Sequence, residues 1–268
     1  MREEMKNEER RMKNGERQSG TFFGVGLGPG DPELITLKAV RVLDQVDYIF
    51  VPTGKMLGAG VARRIVSALR LPEAKFRPVA LCMGWDRGED LRTYDAIADK
   101  IAGELCLGRS AAWIAEGDPL LFSTFLHVYA AMRQRHPQVK IAIVPGVSSP
   151  HAAAARAGMP LALLGESVVL MPAAYNVERV PALLDEFASV VLLKVNAVFD
   201  RLLDRLASYP REVDAVYLEN IGTPEERVVT DLGTLRGQKL PYFSLVLLRK
   251  SAACGLTSTC RREREGQA

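Results

Sequence analysis

From Thr21 onward, short apolar runs alternate with longer stretches in which apolar residues recur every three or four positions. The runs FFGVGLG, YIFVP, FRPVA, AAWIAEG and KIAIVPG read as strands. LITLKAVRVLDQV, AGVARRIVSALR, TYDAIADKIAGELC and STFLHVYAAMRQR read as helices between them, and SSPHAAAARAG as the helix that closes the set. Strand–helix alternation of this kind predicts a parallel sheet. A second set follows: strands ESVVLMPA, SVVLLKV, DAVYLEN, RVVTDLG and YFSLVLLRK, with helices chiefly at PALLDEFA and AVFDRLLDRLAS. Fewer and shorter helices predict a mixed sheet in a second α/β domain. The boundary is placed near Gly158-Met159-Pro160, giving an N-terminal α/β domain over 21–160 and a C-terminal one over 161–250. Residues 1–20 mix charges of both signs without an apolar segment, so they read as a disordered extension and not as a signal peptide. Residues 251–268, ending RREREGQA, read as a flexible tail.

Three of the predicted strand-to-helix turns carry glycine with polar caps. Gly30-Asp31-Pro32 and Gly117-Asp118-Pro119 each follow a strand and are expected to open a helix. Asp accepts the free N–H groups of a first helical turn, Pro loses nothing at the first helical position, and the preceding Gly permits positive φ. Each tripeptide on its own reads equally well as a plain helix start. The third turn is Pro145-Gly146-Val147-Ser148-Ser149, with Ser148 or Ser149 as cap. In open α/β sheets the ligand crevice lies outside the carboxyl ends of the strands, and all three turns fall on that edge. The opening GVGLGPGDPE fails the dinucleotide fingerprint, because Pro29 or Asp31 stands where its last glycine is required.

Composition narrows the classes. Apolar residues make up 48% and charged residues 25%, as in ordinary globular proteins. A net charge of +3 argues against nucleic acid as a partner. Cys82, Cys106, Cys254 and Cys260 lie far apart, which predicts reduced thiols in a cytoplasmic protein. His127, His136 and His151 lack metal-ligand spacing, so no metal is expected. No apolar run approaches the roughly 18 residues of a membrane span.

GVGLGPGDPELITLKA, AEGDPLLFS, PGVSS and ENIGTPEERVV, in this order and spacing, resemble the tetrapyrrole methylases, which methylate corrin and sirohaem precursors from S-adenosylmethionine. The resemblance spans about residues 21–250. EGDPLLFSTF, PGVSSPHAAAARAG and VVLLKVNAVFDRLLDRL are similar to the precorrin-2 C-20-methyltransferase subgroup. The resemblance implies two α/β domains with the active site in the cleft between them, a homodimer, and S-adenosylmethionine as cofactor. It implies cofactor contacts from Pro29, Glu116, Gly117, Asp118, Leu121, Ser148, Ser149, Lys194, Asn220 and Phe243. Leu121 is placed one helical turn beyond Asp118. Ile221 interrupts the usual Asn-Gly-Thr, and Lys194 replaces a methionine, so a backbone contact is expected there. Gly30 and Asp31 line the same cleft nearer the tetrapyrrole. Lys55, Arg63, Arg64, Arg77 and Arg87 are candidate partners for the substrate's carboxylates. The proton released from C-20 has three candidate acceptors: Asp31, Glu116 and water.

Plainer readings stand beside these. Leu121 and Phe243 suit a core, Ser148 and Ser149 suit N-caps, Lys194 suits a water-facing strand, and Glu116 a solvated charge. Competing functions are another methylase of the same fold, acting on a different corrin position, diphthine or ribosomal RNA, or a nucleotide-binding oxidoreductase or regulatory module with Asp47 as its ribose-binding acid.

Overall fold

The structure, a computed structural model, describes residues 19–54, 60–81 and 87–251. Residues 1–18, Lys55 and residues 252–268 therefore lie outside the described residues. Arg87 opens a helix, but its side chain lies outside them too. The chain packs as two compact units, the first ending at Ser148 and the second beginning at Ser149.

The first unit is a five-stranded parallel sheet in the order β3-β2-β4-β1-β5. Its strands are β1 (Thr21–Gly26), β2 (Tyr48–Thr53), β3 (Phe76–Ala80), β4 (Ala111–Ala115) and β5 (Lys140–Val144). Helices α1 (Leu37–Gln45), α2 (Gly60–Ala68), α3 (Arg87–Cys106) and α4 (Phe125–Arg135) complete it. Every residue of β4 is buried, as a central parallel strand covered on both faces requires. Successive residues then feed two different cores. Phe22, Phe50 and Trp113 meet Ala98, Ile101 and Leu105 of α3 and Phe125 and Met132 of α4 on one face. Val25, Ile49 and Ile114 meet Leu43 of α1 and Ile65 of α2 on the other.

The second unit opens with α5 (Ser149–Ala157) and carries a five-stranded mixed sheet, β6-β7-β10-β8-β9. The strands are β6 (Val168–Pro172), β7 (Ser189–Leu193), β8 (Val213–Glu219), β9 (Arg227–Val229) and β10 (Ser244–Lys250). β6 and β7 run parallel, and β10 lies antiparallel to both β7 and β8. Helices α6 (Val180–Glu186) and α7 (Phe199–Ala207) bury Leu183, Leu184, Leu202 and Leu203 against Val190, Leu192 and Val246. The unit boundary falls about ten residues before the expected one because α5 packs against β10 and does not close the first sheet.

Two helix starts differ from expectation. Asp31 caps only a single 3₁₀ turn (Pro32–Leu34) through the N–H of Glu33, and α1 is capped independently by Thr36, whose Oγ1 accepts from Ala39 N. Gly117-Asp118-Pro119 opens no helix. Residues 118–124 form irregular turns, and α4 begins at Phe125, whose N–H bonds Ser123 Oγ. Leu121 therefore lies in a turn and not one helical turn beyond Asp118. One Asp118 oxygen accepts from Leu120 N in its own turn, and the other is taken by Gly146 N of the third turn.

Candidate functional site

At the carboxyl edge of the first sheet the three turns are fused by their backbones. Beyond β1, Gly28 and Gly117 exchange both N–H···O bonds, at 3.3 and 2.7 Å. Asp118 accepts from Leu120 N in its own turn (2.8 Å) and from Gly146 N in the third turn (3.1 Å). The contact between turns is tight: a Cβ on Gly146 would lie 2.2 Å from Gly117 O. Positive φ falls on Gly28 (85°) and Gly117 (69°), not on Gly30. Phe122, 40% exposed, is held at φ 51°, an uncommon conformation for an aromatic residue that the turns around it must enforce.

This fusion sets what the edge can bind. The amide donors of Gly28, Glu33, Gly117, Leu120 and Gly146 already have protein acceptors. A pyrophosphate needs several converging free N–H groups, and these five are used internally. What the edge presents is acidic. Asp31 is half-buried, beside Pro29, which has no N–H to offer. Glu116, directly after β4, is mostly buried and accepts the N–H of Ala62 (3.2 Å), one of the unpaired amides of the first turn of α2. Burial pushes its carboxyl up to about 7, while the Ala62 amide pulls the other way. Burial prevails because one backbone donor offsets only part of the desolvation of a carboxylate. Glu116 is thus not the solvated charge of the plainer reading.

The second unit gathers its three candidates at one sheet edge. Lys194 follows β7, Asn220 follows β8, and Phe243 precedes β10, the strand between them. Lys194 N bonds Ser244 O (2.8 Å) and Asn220 N bonds Phe243 O (2.9 Å). Lys194 and Asn220 are both left-handed, at φ 58° and 51°, so each strand reverses sharply at its carboxyl end. The Lys194 ammonium lies 5.2 Å from the Tyr242 ring centroid, a cation–π contact. Phe243 is half-buried with its ring edge-on to Tyr242. Ser148 is buried and precedes α5, whose first residue is Ser149.

Two of the candidate cations are already engaged within the protein. Arg63 pairs with Glu73 at 2.5 Å and covers the Phe76 ring. Arg77 donates to Ala74 O and Phe76 O and stacks on Tyr48, toward the amino end of β3. Arg64 is half-buried on α2. His127 stacks on Tyr94, and His136 bonds Asp99. Asp47 lies at the amino end of β2, where it accepts from Ser110 N (2.8 Å), opposite the edge a ribose-binding acid would occupy. Sequence reasoning missed the Asp118–Gly146 bond, which carries no local signal. It also missed Glu226, whose carboxylate accepts from Gly222 N (2.7 Å). The spacing Thr223-x-x-Glu226, a capping-box pattern, was the signal for the second.

Comparison with known proteins shows the family. A precorrin-2 C(20)-methyltransferase of Sinorhizobium sp is 31% identical over 239 residues, covering 85% of this chain and 95% of that protein. A cobalt-precorrin-2 C(20)-methyltransferase of Salmonella typhimurium is 30% identical over 233 residues, covering 87% and 97%. The solved structure of a uroporphyrin-III C-methyl transferase from Thermus thermophilus, complexed with S-adenosyl homocysteine, has the same fold, with TM-score 0.58, 24% identity, and coverage of 86% and 97%. Residues 21–236, from β1 to just beyond the Asn220 turn, match one family along their whole length, and the chain belongs to it: the tetrapyrrole (corrin/porphyrin) methylases.

Proposed function

We propose that this protein transfers a methyl group from S-adenosylmethionine to C-20 of precorrin-2 or its cobalt-bearing counterpart, cobalt-factor II, in cobalamin biosynthesis. The observation that carries the reading is coverage. Two relatives bearing this position-specific name are matched over 95% and 97% of their own lengths. The fused edge supports it chemically. Five of its amides are bonded within the protein and the side chains beside them, Asp31, Glu116 and Asp118, are acids, which fits a ligand with a sulfonium and an ammonium better than one with phosphates.

The residues holding the cofactor are Pro29, Glu116, Gly117, Asp118, Leu121, Ser148 and Ser149, with Lys194, Asn220 and Phe243. Asp118 acts through its turn, since its oxygens accept from Leu120 and Gly146. Lys194 contributes backbone, its ammonium lying over Tyr242. Gly30 and Asp31 face the macrocycle. When bound, the cofactor supplies an electrophilic methyl on sulfur, and the electron-rich ring supplies the carbon nucleophile. The protein aligns the two and excludes water, a contribution worth about 7–11 kcal/mol in well-oriented reactions. Glu116 takes the proton that leaves C-20, because a carboxyl raised to about 7 is matched to proton transfer near neutral pH. The working form is a cytoplasmic homodimer, and the partner is a small tetrapyrrole, not nucleic acid or a membrane.

The test uses S-adenosylmethionine labelled on its methyl group, offered anaerobically with precorrin-2, cobalt-factor II, RNA and a protein acceptor in separate reactions. Label entering either macrocycle supports the proposal. Label entering only RNA or protein refutes the substrate and leaves the methylase intact.

A further inference from the structure

The loop Asn220–Glu226, joining β8 to β9, is braced more heavily than a short connection requires. Thr223 is buried, donates through Oγ1 to Asn220 O (2.8 Å), and accepts there from Glu225 N (3.2 Å). Glu226 closes the loop: one carboxylate oxygen accepts from Gly222 N at 2.7 Å, and the other lies 2.6 Å from the guanidinium of Arg156. Arg156 sits in the last turn of α5, the helix that begins at Ser149. Behind the loop, buried Glu219 receives Arg227 Nη2 at 3.1 Å and the hydroxyl of Tyr217. Arg227 Nε also lies 2.9 Å from Glu219, off hydrogen-bond alignment.

Asn220 is left-handed, a conformation that Asn adopts readily and that the bonds of this loop hold in place. The strand side of the loop is fixed by Glu219. The helix side is fixed through Glu226. The Glu226 side chain is only 12% exposed, so its carboxylate is well shielded from water, which strengthens both of its bonds. One end of this link carries Asn220, and the other is the helix that starts at Ser149.

We infer that Glu226 is a positioning residue, whose carboxylate locks the Asn220 loop to α5 and so fixes Asn220 relative to Ser149 for cofactor binding, an inference that rests on the cofactor reading above. It acts through Gly222 and Arg156 and does not itself touch the ligand.

Calorimetric titration with S-adenosyl homocysteine tests it on the full chain. Glu226→Ala is expected to weaken binding about tenfold, and Glu226→Gln, which keeps a hydrogen-bond acceptor for Gly222, by less than about threefold. Glu178→Ala is the control: it removes a comparable carboxylate paired with Arg201 and Arg205, away from the loop, and is expected to leave affinity unchanged. Equal affinity for E226A and wild type overturns the inference, as does equal weakening by E178A. Should E226A fail to fold, Arg156→Gln probes the same link from a side chain that is 60% exposed. A loss of about threefold supports the role, and none overturns it. Wild-type protein that binds no S-adenosyl homocysteine refutes the cofactor reading itself, and the positioning role falls with it.

Discussion

Replacing Glu116 with glutamine removes a carboxyl that is raised from 4.5 to about 7 by burial, while keeping an acceptor for Ala62 N. Below about pH 4.5 the group is protonated in both folded and unfolded chains, and wild type and E116Q should be equally stable. Between 4.5 and 7 the unfolded chain gives up its proton first, so wild-type stability falls as pH rises. Above about 7 the loss is complete, and the separation of the two values corresponds to about 3 kcal/mol. E116Q escapes this loss. At about 2–4 °C per kcal/mol, it should melt about 6–12 °C above wild type near pH 8 and level with it near pH 4.5. Trp113 is buried in the first unit, so its fluorescence follows the relevant unfolding. A difference between the two proteins that stays constant across this range, or E116Q melting below wild type near pH 8, would refute the argument that burial dominates this carboxyl.

Other consequences follow from the same geometry. The rate of methyl transfer should rise with pH through about 7 as Glu116 loses its proton, and E116Q should be slower and lose that limb of the profile, as read in initial rates at saturating substrate. Gly146→Ala should destabilise the first unit by about 2–3 kcal/mol and abolish cofactor binding, because its Cβ would sit 2.2 Å from Gly117 O, and denaturant unfolding with calorimetry checks both. Arg249→Met should destabilise the second unit by about 3 kcal/mol, measured by circular dichroism melts, since it strands Glu166, whose two oxygens lie 2.7 and 2.8 Å from the guanidinium.

The two sheets were legible because apolar runs such as AAWIA and SVVLL read as strands, and every residue of both is buried in the structure. The three turns were legible as positions, but their fusion was not. Asp118 looks locally like a helix cap, and only the approach of β5 reveals that its second oxygen belongs to Gly146, 28 residues away. The same limit applies to charge. Sequence identifies Glu116 as an acid but not that the first turn of α2 covers it. It identifies Arg63 and Arg77 as cations but not that Arg63 reaches Glu73 or that Arg77 folds back onto Ala74 and Phe76. Asn220 and Lys194 were named by resemblance alone; Asn adopts the left-handed conformation more readily than most side chains, but nothing local announces it at Lys194.

The most direct test of the account is anaerobic incubation with S-adenosylmethionine carrying a ¹³C methyl, together with precorrin-2 or cobalt-factor II, followed by mass spectrometry and NMR of the macrocycle. The account predicts one added methyl, with its ¹³C signal assigned to C-20. A labelled methyl at any other ring position, or two unchanged macrocycles with intact protein that binds S-adenosyl homocysteine, would contradict it.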